Sequence, residues 1–212
     1  MKTIINIYGM RRSGLHCITF DIISNFNKEY KCELKFHNDV QYKNTKIGSK
    51  SSVFLFEDQL IYKKKEHIDY NEYNVIILRD IYENVTSRIK KNMGWSLINE
   101  KYINTIKSIL KEFNNTGNII PNKILINYNK YVSDNVYRKN ILKNSFNIQN
   151  ISDFSKEIPH YGGGKTFKNN KNRYKIKIEK DIFNLFKNDK ELLELVKQYY
   201  GYDLIKKLEQ HL

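Results

Sequence analysis

The first apolar run, Thr3 to Tyr8, is rich in Ile and stops at Gly9, the pattern of a short buried strand. After it the period changes. Leu15, Ile18, Ile22, Ile23 and Phe26 recur at helical spacing, which predicts a helix from about Gly14 to Asn27. Short apolar segments at 33–36, Val53 to Phe56, Asn74 to Leu78 and Ile124 to Asn127 read as parallel strands covered on both faces. Helices are expected between them. One begins near Ile81, one carries Ile98, Tyr102, Ile106, Leu110 and Phe113 on one face, and one runs from Asn129 to about Lys143. Two short helices close the chain; Asp189 caps the second, Leu192, Leu193, Val196 and Tyr199 form its apolar stripe, and Gly201 ends it. This alternation predicts an α/β fold with a parallel β-sheet flanked by helices, in a single domain over residues 1–212.

At 212 residues, 40% of them apolar, the chain is long enough to bury about 70% of its unfolded surface without staples. No apolar run approaches the ~18 residues of a membrane span. The N-terminal sequence reaches Gly9 and Arg11-Arg12 before a signal-like apolar stretch forms, so a cytoplasmic location is expected. Cys17, Cys32 and five scattered His do not suit a disulfide framework or a structural zinc, and no metal is expected. Lys+Arg number 37 against 23 Asp+Glu, a net +14 that points to an anionic partner: nucleic acid, a membrane surface or a phosphorylated small molecule. Abundant Asn, Ile, Lys and Tyr with only two Pro also fit an AT-rich coding sequence, which raises Lys without any function.

Gly9-Met10-Arg11-Arg12-Ser13-Gly14 has the four-residue gap between glycines of a phosphate-binding loop, and it lies where one belongs, between a first strand and a first helix. The opening is therefore P-loop-like. A nucleoside triphosphate loop continues with Lys and then Ser or Thr, whereas Leu15 and His16 stand here, which disfavours magnesium nucleotide hydrolysis. What the sequence retains is an anion cradle: backbone N–H groups of Ser13 to Cys17 at a helix N-terminus, with charge from Arg12 and its neighbour Arg11.

Arg12-Ser13-Gly14-Leu15-His16 resembles the 5′-phosphosulfate loop of the sulfotransferases that use 3′-phosphoadenosine 5′-phosphosulfate (PAPS). A second match is Arg79, after a predicted strand, with Ser87 eight residues later on the following helix, similar to the pair that binds the cofactor's 3′-phosphate in that family. A third is Gly162-Gly163-Gly164-Lys165-Thr166, followed by Arg173, which is similar to the late basic segment that closes over the adenosine 3′-phosphate, although its usual form differs at Lys165. The resemblance covers Thr3 to about Arg173 and implies a PAPS-dependent enzyme that needs no metal. It assigns Arg12 to charge on the leaving oxygen, Ser13, Gly14, Leu15, His16 and Cys17 to the 5′-phosphate, and Arg79 and Ser87 to the 3′-phosphate, with Gly163, Gly164, Lys165 and Thr166 closing the site. The family's general base, a His or Glu past a strand between the two phosphate motifs, is matched first by Glu57; Asp58 and His37 are the reserves.

The expected function is transfer of a sulfuryl group to a hydroxyl acceptor such as a carbohydrate. Two alternatives stay open: a P-loop kinase or other nucleotide-dependent transferase, which would depend on magnesium, and a basic nucleic-acid binder. The second needs its charge gathered into a stripe, and only Lys63-Lys64-Lys65 and 165–180 are dense clusters, so the partner expected is a small molecule or glycan rather than nucleic acid. Acceptor identity and oligomeric state carry no recognisable code.

Overall fold

The computed structural model describes residues 2–11, 13–38, 50–62, 70–88, 100–153, 184 and 188–200. In chain order its elements are β1 (Lys2–Gly9), α1 (Leu15–Tyr30), β2 (Lys35–His37), β3 (Ser52–Glu57), β4 (Tyr70–Leu78), α2 (Ile81–Arg88), α3 (Glu100–Phe113), β5 (Lys123–Asn127), α4 (Tyr128–Ser133), α5 (Asn135–Phe146) and α6 (Lys190–Tyr200). The chain divides into two compact units. One is Met1–Asp80 with Ile119–Gly162, and the other is Ile81–Asn118 with Gly163–Leu212.

The first unit holds a five-stranded sheet in the order β2-β3-β1-β4-β5, parallel throughout. Ile5, Ile7, Val53, Leu55, Val75 and Ile77 on one face pack with Leu15, Ile18, Ile22 and Phe26 of α1 and with Tyr131, Leu142 and Phe146 of α4 and α5. Each such aliphatic or aromatic side chain contributes about 1.5–3 kcal/mol by leaving water. On the other face Ile4, Tyr8, Phe54, Phe56 and Ile76 are buried as well, with Tyr8 stacked on Phe56 at 4.9 Å between ring centroids. Burial on both faces explains why the Ile-rich strands do not alternate with polar residues. Where polar residues do interrupt, they are paired: Asn6 Nδ2 donates to Asn74 Oδ1 at 3.0 Å and to Glu72 Oε1 at 2.8 Å.

That polar network also accounts for the length of β4, which starts at Tyr70 rather than at the expected Asn74. Lys2 faces Tyr70 in the register with β1, so the less apolar stretch Tyr70–Tyr73 is held by the ladder rather than by its own hydrophobicity. The helix expected over 129–143 is two helices. Asp134 adopts an extended conformation (φ −118°, ψ 102°) and its carboxylate accepts from Val136 N at 2.9 Å and Tyr137 N at 3.0 Å, capping α5. Helix α1 continues past Asn27 to Tyr30 and stops at Lys31, which turns into the left-handed region (φ 47°).

A buried ion pair ties α5 to α1. Arg138 donates to Asp21 through Nε and Nη2, both at 2.8 Å, and Tyr131 Oη donates to the same carboxylate at 2.7 Å.

In the second unit α3 turns Tyr102, Ile106, Ile109 and Leu110 inward, and α6 contributes Leu192, Leu195 and Val196 to the buried set. Asp189 caps α6 as expected: Oδ1 accepts from Leu192 N at 3.0 Å, and Oδ2 pairs with Lys107 of α3 at 2.7 Å. Gly201 lies outside the described residues, as does most of the stretch before α6 where a further helix is expected. Among the described residues no helix is long and apolar enough to cross a membrane.

Candidate functional site

Because all five strands are parallel, Gly9, His37, Glu57, Leu78 and Asn127 end at one edge of the sheet. From β1 the chain runs to β2 on one side, and from its neighbour β4 it runs to β5 on the other. Such a reversal opens a crevice outside the carboxyl ends of the two strands, where open α/β sheets bind ligands. The loop 10–14 leaves β1 and Arg79 leaves β4 at that point.

Gly14 lies in the left-handed region (φ 78°, ψ 18°), and a methyl group there would overlap the ring of Tyr128, so a side chain is excluded twice. A Cβ on Gly9 would come within 2.8 Å of the Ile77 carbonyl oxygen, so the loop starts with backbone packed on backbone. Of the amides expected to face an anion, that of Ser13 is used inside the loop, donating to Met10 O at 3.0 Å. Those of Leu15, His16 and Cys17 form the first turn of α1, ahead of the bond from Ile18 N to Gly14 O. Gly14 offers no capping side chain and the turn contains no acidic residue, so no side chain of the turn itself neutralises the positive end of the helix. Ser13 Oγ is buried with no hydrogen-bond partner among the described residues. A buried hydroxyl left this way costs about 1–3 kcal/mol, recoverable by a ligand that bonds to it.

The end of β3 holds the first half of the loop. Arg11 Nε donates to Glu57 Oε2 at 3.0 Å, Arg11 N donates to Asp58 Oδ1 at 2.8 Å, and Asp58 N donates to Gly9 O at 2.9 Å. His16, on the first turn of α1, places Nδ1 4.0 Å from Glu57 Oε1 and Nε2 2.9 Å from Asn38 Oδ1. Arg11, His16, Glu57 and Asp58 are thus brought together. His37 is not among them: its ring stacks on Phe54 at 4.8 Å, on the sheet face opposite Glu57. Burial and the nearby Asp21 push the Cys17 thiol up to about 11, so it stays protonated at neutral pH and only its amide suits an anion.

The chain matches no protein-family model and no curated protein. The site therefore rests on its own chemistry. No group of three or more His, Cys, Asp or Glu among the described residues is arranged to hold a metal ion.

Arg79, the residue after β4, is 5% exposed, a burial that an arginine tolerates only with partners. Its guanidinium carbon lies 5.1 Å from the centroid of the Tyr128 ring. Tyr128, the first residue of α4, was not apparent as a site residue from sequence. Its only local signal is an aromatic directly after a strand, and its meaning depends on the Leu78–Asn127 register that sets it beside Arg79. Ser87 belongs to the second unit, buried on α2, so its link to Arg79 is the spacing along the chain. Arg12, Gly163, Gly164, Lys165 and Thr166 lie outside the described residues.

Proposed function

We propose that this protein is a sulfotransferase that moves a sulfuryl group from PAPS to a hydroxyl acceptor, with a carbohydrate as the first class to test. The observation that carries the reading is the loop after β1: a first turn without acidic residues or a side-chain cap, beside a Ser13 hydroxyl buried with no hydrogen-bond partner among the described residues, with Leu15 and His16 where a nucleoside triphosphatase has its Lys and Ser or Thr. These donors fit a phosphate ester; nothing in the loop provides a magnesium ligand of the usual kind.

PAPS, when bound, supplies a sulfuryl group whose transfer leaves negative charge on a phosphate oxygen. The first-turn amides of α1 and the Ser13 hydroxyl hold the 5′-phosphate, and Arg12 stabilises the charge that develops there. Arg79 takes the 3′-phosphate. Glu57 accepts the proton of the acceptor hydroxyl; Arg11 fixes one of its oxygens and the other faces His16. Positioning and electrostatics supply most of the acceleration in such loose transfers.

The test is calorimetric titration with adenosine 3′,5′-bisphosphate and, separately, with ATP and magnesium. The reading requires tighter binding of the bisphosphate, unchanged by a chelator. Tighter binding of magnesium ATP would replace it with a kinase.

A further inference from the structure

Two contacts converge on Tyr128. Its ring occupies the space that a side chain on Gly14 would need, and the Arg79 guanidinium lies over it, 5.1 Å from the ring centroid to Cζ. The elements around the ring keep it there. Asn127 Oδ1 accepts from Lys130 N at 3.0 Å and caps α4, and Asn129 Oδ1 accepts from the Asp80 amide at 3.2 Å, tying the first turn of α4 to the chain just after Arg79. The ring is also one of the partly buried groups packed against the hydrophobic core. One aromatic ring thus touches the glycine at the helix end of the β1–α1 loop and the cation at the end of β4.

We infer that Tyr128 is a positioning residue that couples Arg79 to the β1–α1 loop, so that the cation and the loop amides are presented to one doubly phosphorylated ligand in a fixed relation. The inference rests on the assignment of both elements to the cofactor phosphates. Its physical basis is that the negative face of an aromatic ring favours the few rotamers in which a guanidinium lies against it. The same ring fills the space beside Gly14, which fixes where it stands relative to the loop. The contribution lies in preorganisation: the ring lowers the cost of ordering Arg79 when the ligand arrives.

The experiment is a double-mutant cycle in the full chain, titrating adenosine 3′,5′-bisphosphate into wild type, Tyr128→Leu, Tyr128→Phe, Arg79→Met and Tyr128→Leu/Arg79→Met. The Arg79 Nε–H proton is followed by NMR without ligand. Tyr128→Phe keeps the ring and should keep both the affinity and the upfield ring-current shift. Tyr128→Leu should lose the shift and weaken binding roughly 3- to 30-fold, the range of a cation–π contact. The double variant should bind about as weakly as Arg79→Met alone, since Tyr128 acts through Arg79. If Tyr128→Leu fails to fold, Tyr128→Met removes the ring while keeping an unbranched apolar chain. Full additivity, or unchanged affinity in Tyr128→Leu, overturns the coupling while wild-type binding leaves the cofactor assignment standing. A wild-type protein that binds magnesium ATP and not the bisphosphate overturns the assignment and the coupling with it.

Discussion

Arg11 Nε donates to Glu57 Oε2 at 3.0 Å, joining the loop after β1 to the last residue of β3. The two residues are 46 apart in sequence and one strand apart in space. With the Arg11 amide on Asp58, the pair makes the end of β3 a clamp on the loop. Glu57 therefore has two tasks that substitution can separate: holding Arg11 and, on the proposed mechanism, accepting a proton.

Glu57→Gln keeps an oxygen for Arg11 but no base. The bisphosphate should bind about normally while transfer falls by roughly 10²- to 10⁴-fold. Glu57→Ala removes the clamp too and should weaken binding as well. Calorimetry and turnover, compared across the two variants, check this; near-normal turnover in Glu57→Gln moves the base to Asp58.

Gly14→Ala puts a methyl group into a left-handed residue and into the Tyr128 ring. The backbone alone costs about 1–2 kcal/mol. In a chain of 212 residues that is a fall in Tm of roughly 2 to 8 °C, and the ring clash adds to it. Thermal unfolding measures the loss, and the stabilisation by bisphosphate should shrink in the same variant.

Arg138→Met strands the Asp21 carboxylate in the core beneath α1. Removing one partner of such a pair costs about 3–5 kcal/mol, whereas replacing both with apolar residues is often neutral. Urea unfolding of Arg138→Met and of Asp21→Leu/Arg138→Met should show a large loss in the first and substantial recovery in the second.

Alkaline pH should destabilise the fold through Cys17. Its thiol ionises at 9.0 when unfolded and at about 11 when folded, so between those values the unfolded state holds fewer protons. The contribution is intact below pH 9, is lost progressively as pH rises toward about 11, and is level beyond. Tyr131, raised well above 10.0 mainly by burial and also by Asp21, extends the decline above pH 10. Urea midpoints measured at pH 8 and pH 10 should differ less in Cys17→Ala than in wild type.

Strand, loop and helix at the start of the chain were legible in sequence because each depends on neighbours: Ile-rich residues ending at Gly9, then Leu15, Ile18, Ile22 and Phe26 at helical spacing. The same locality made Asp189 readable as a cap and the parallel sheet readable from alternating segments. Asp134 was missed because an aspartate within a helical period marks a cap only when its own backbone turns extended. Tertiary structure decided what touches what. The face that His37 takes, the pairing of Arg11 with Glu57 and the place of Tyr128 between Gly14 and Arg79 all follow from strand order and register. Those are set by burial of the whole sheet, a sum over distant residues that no local pattern records.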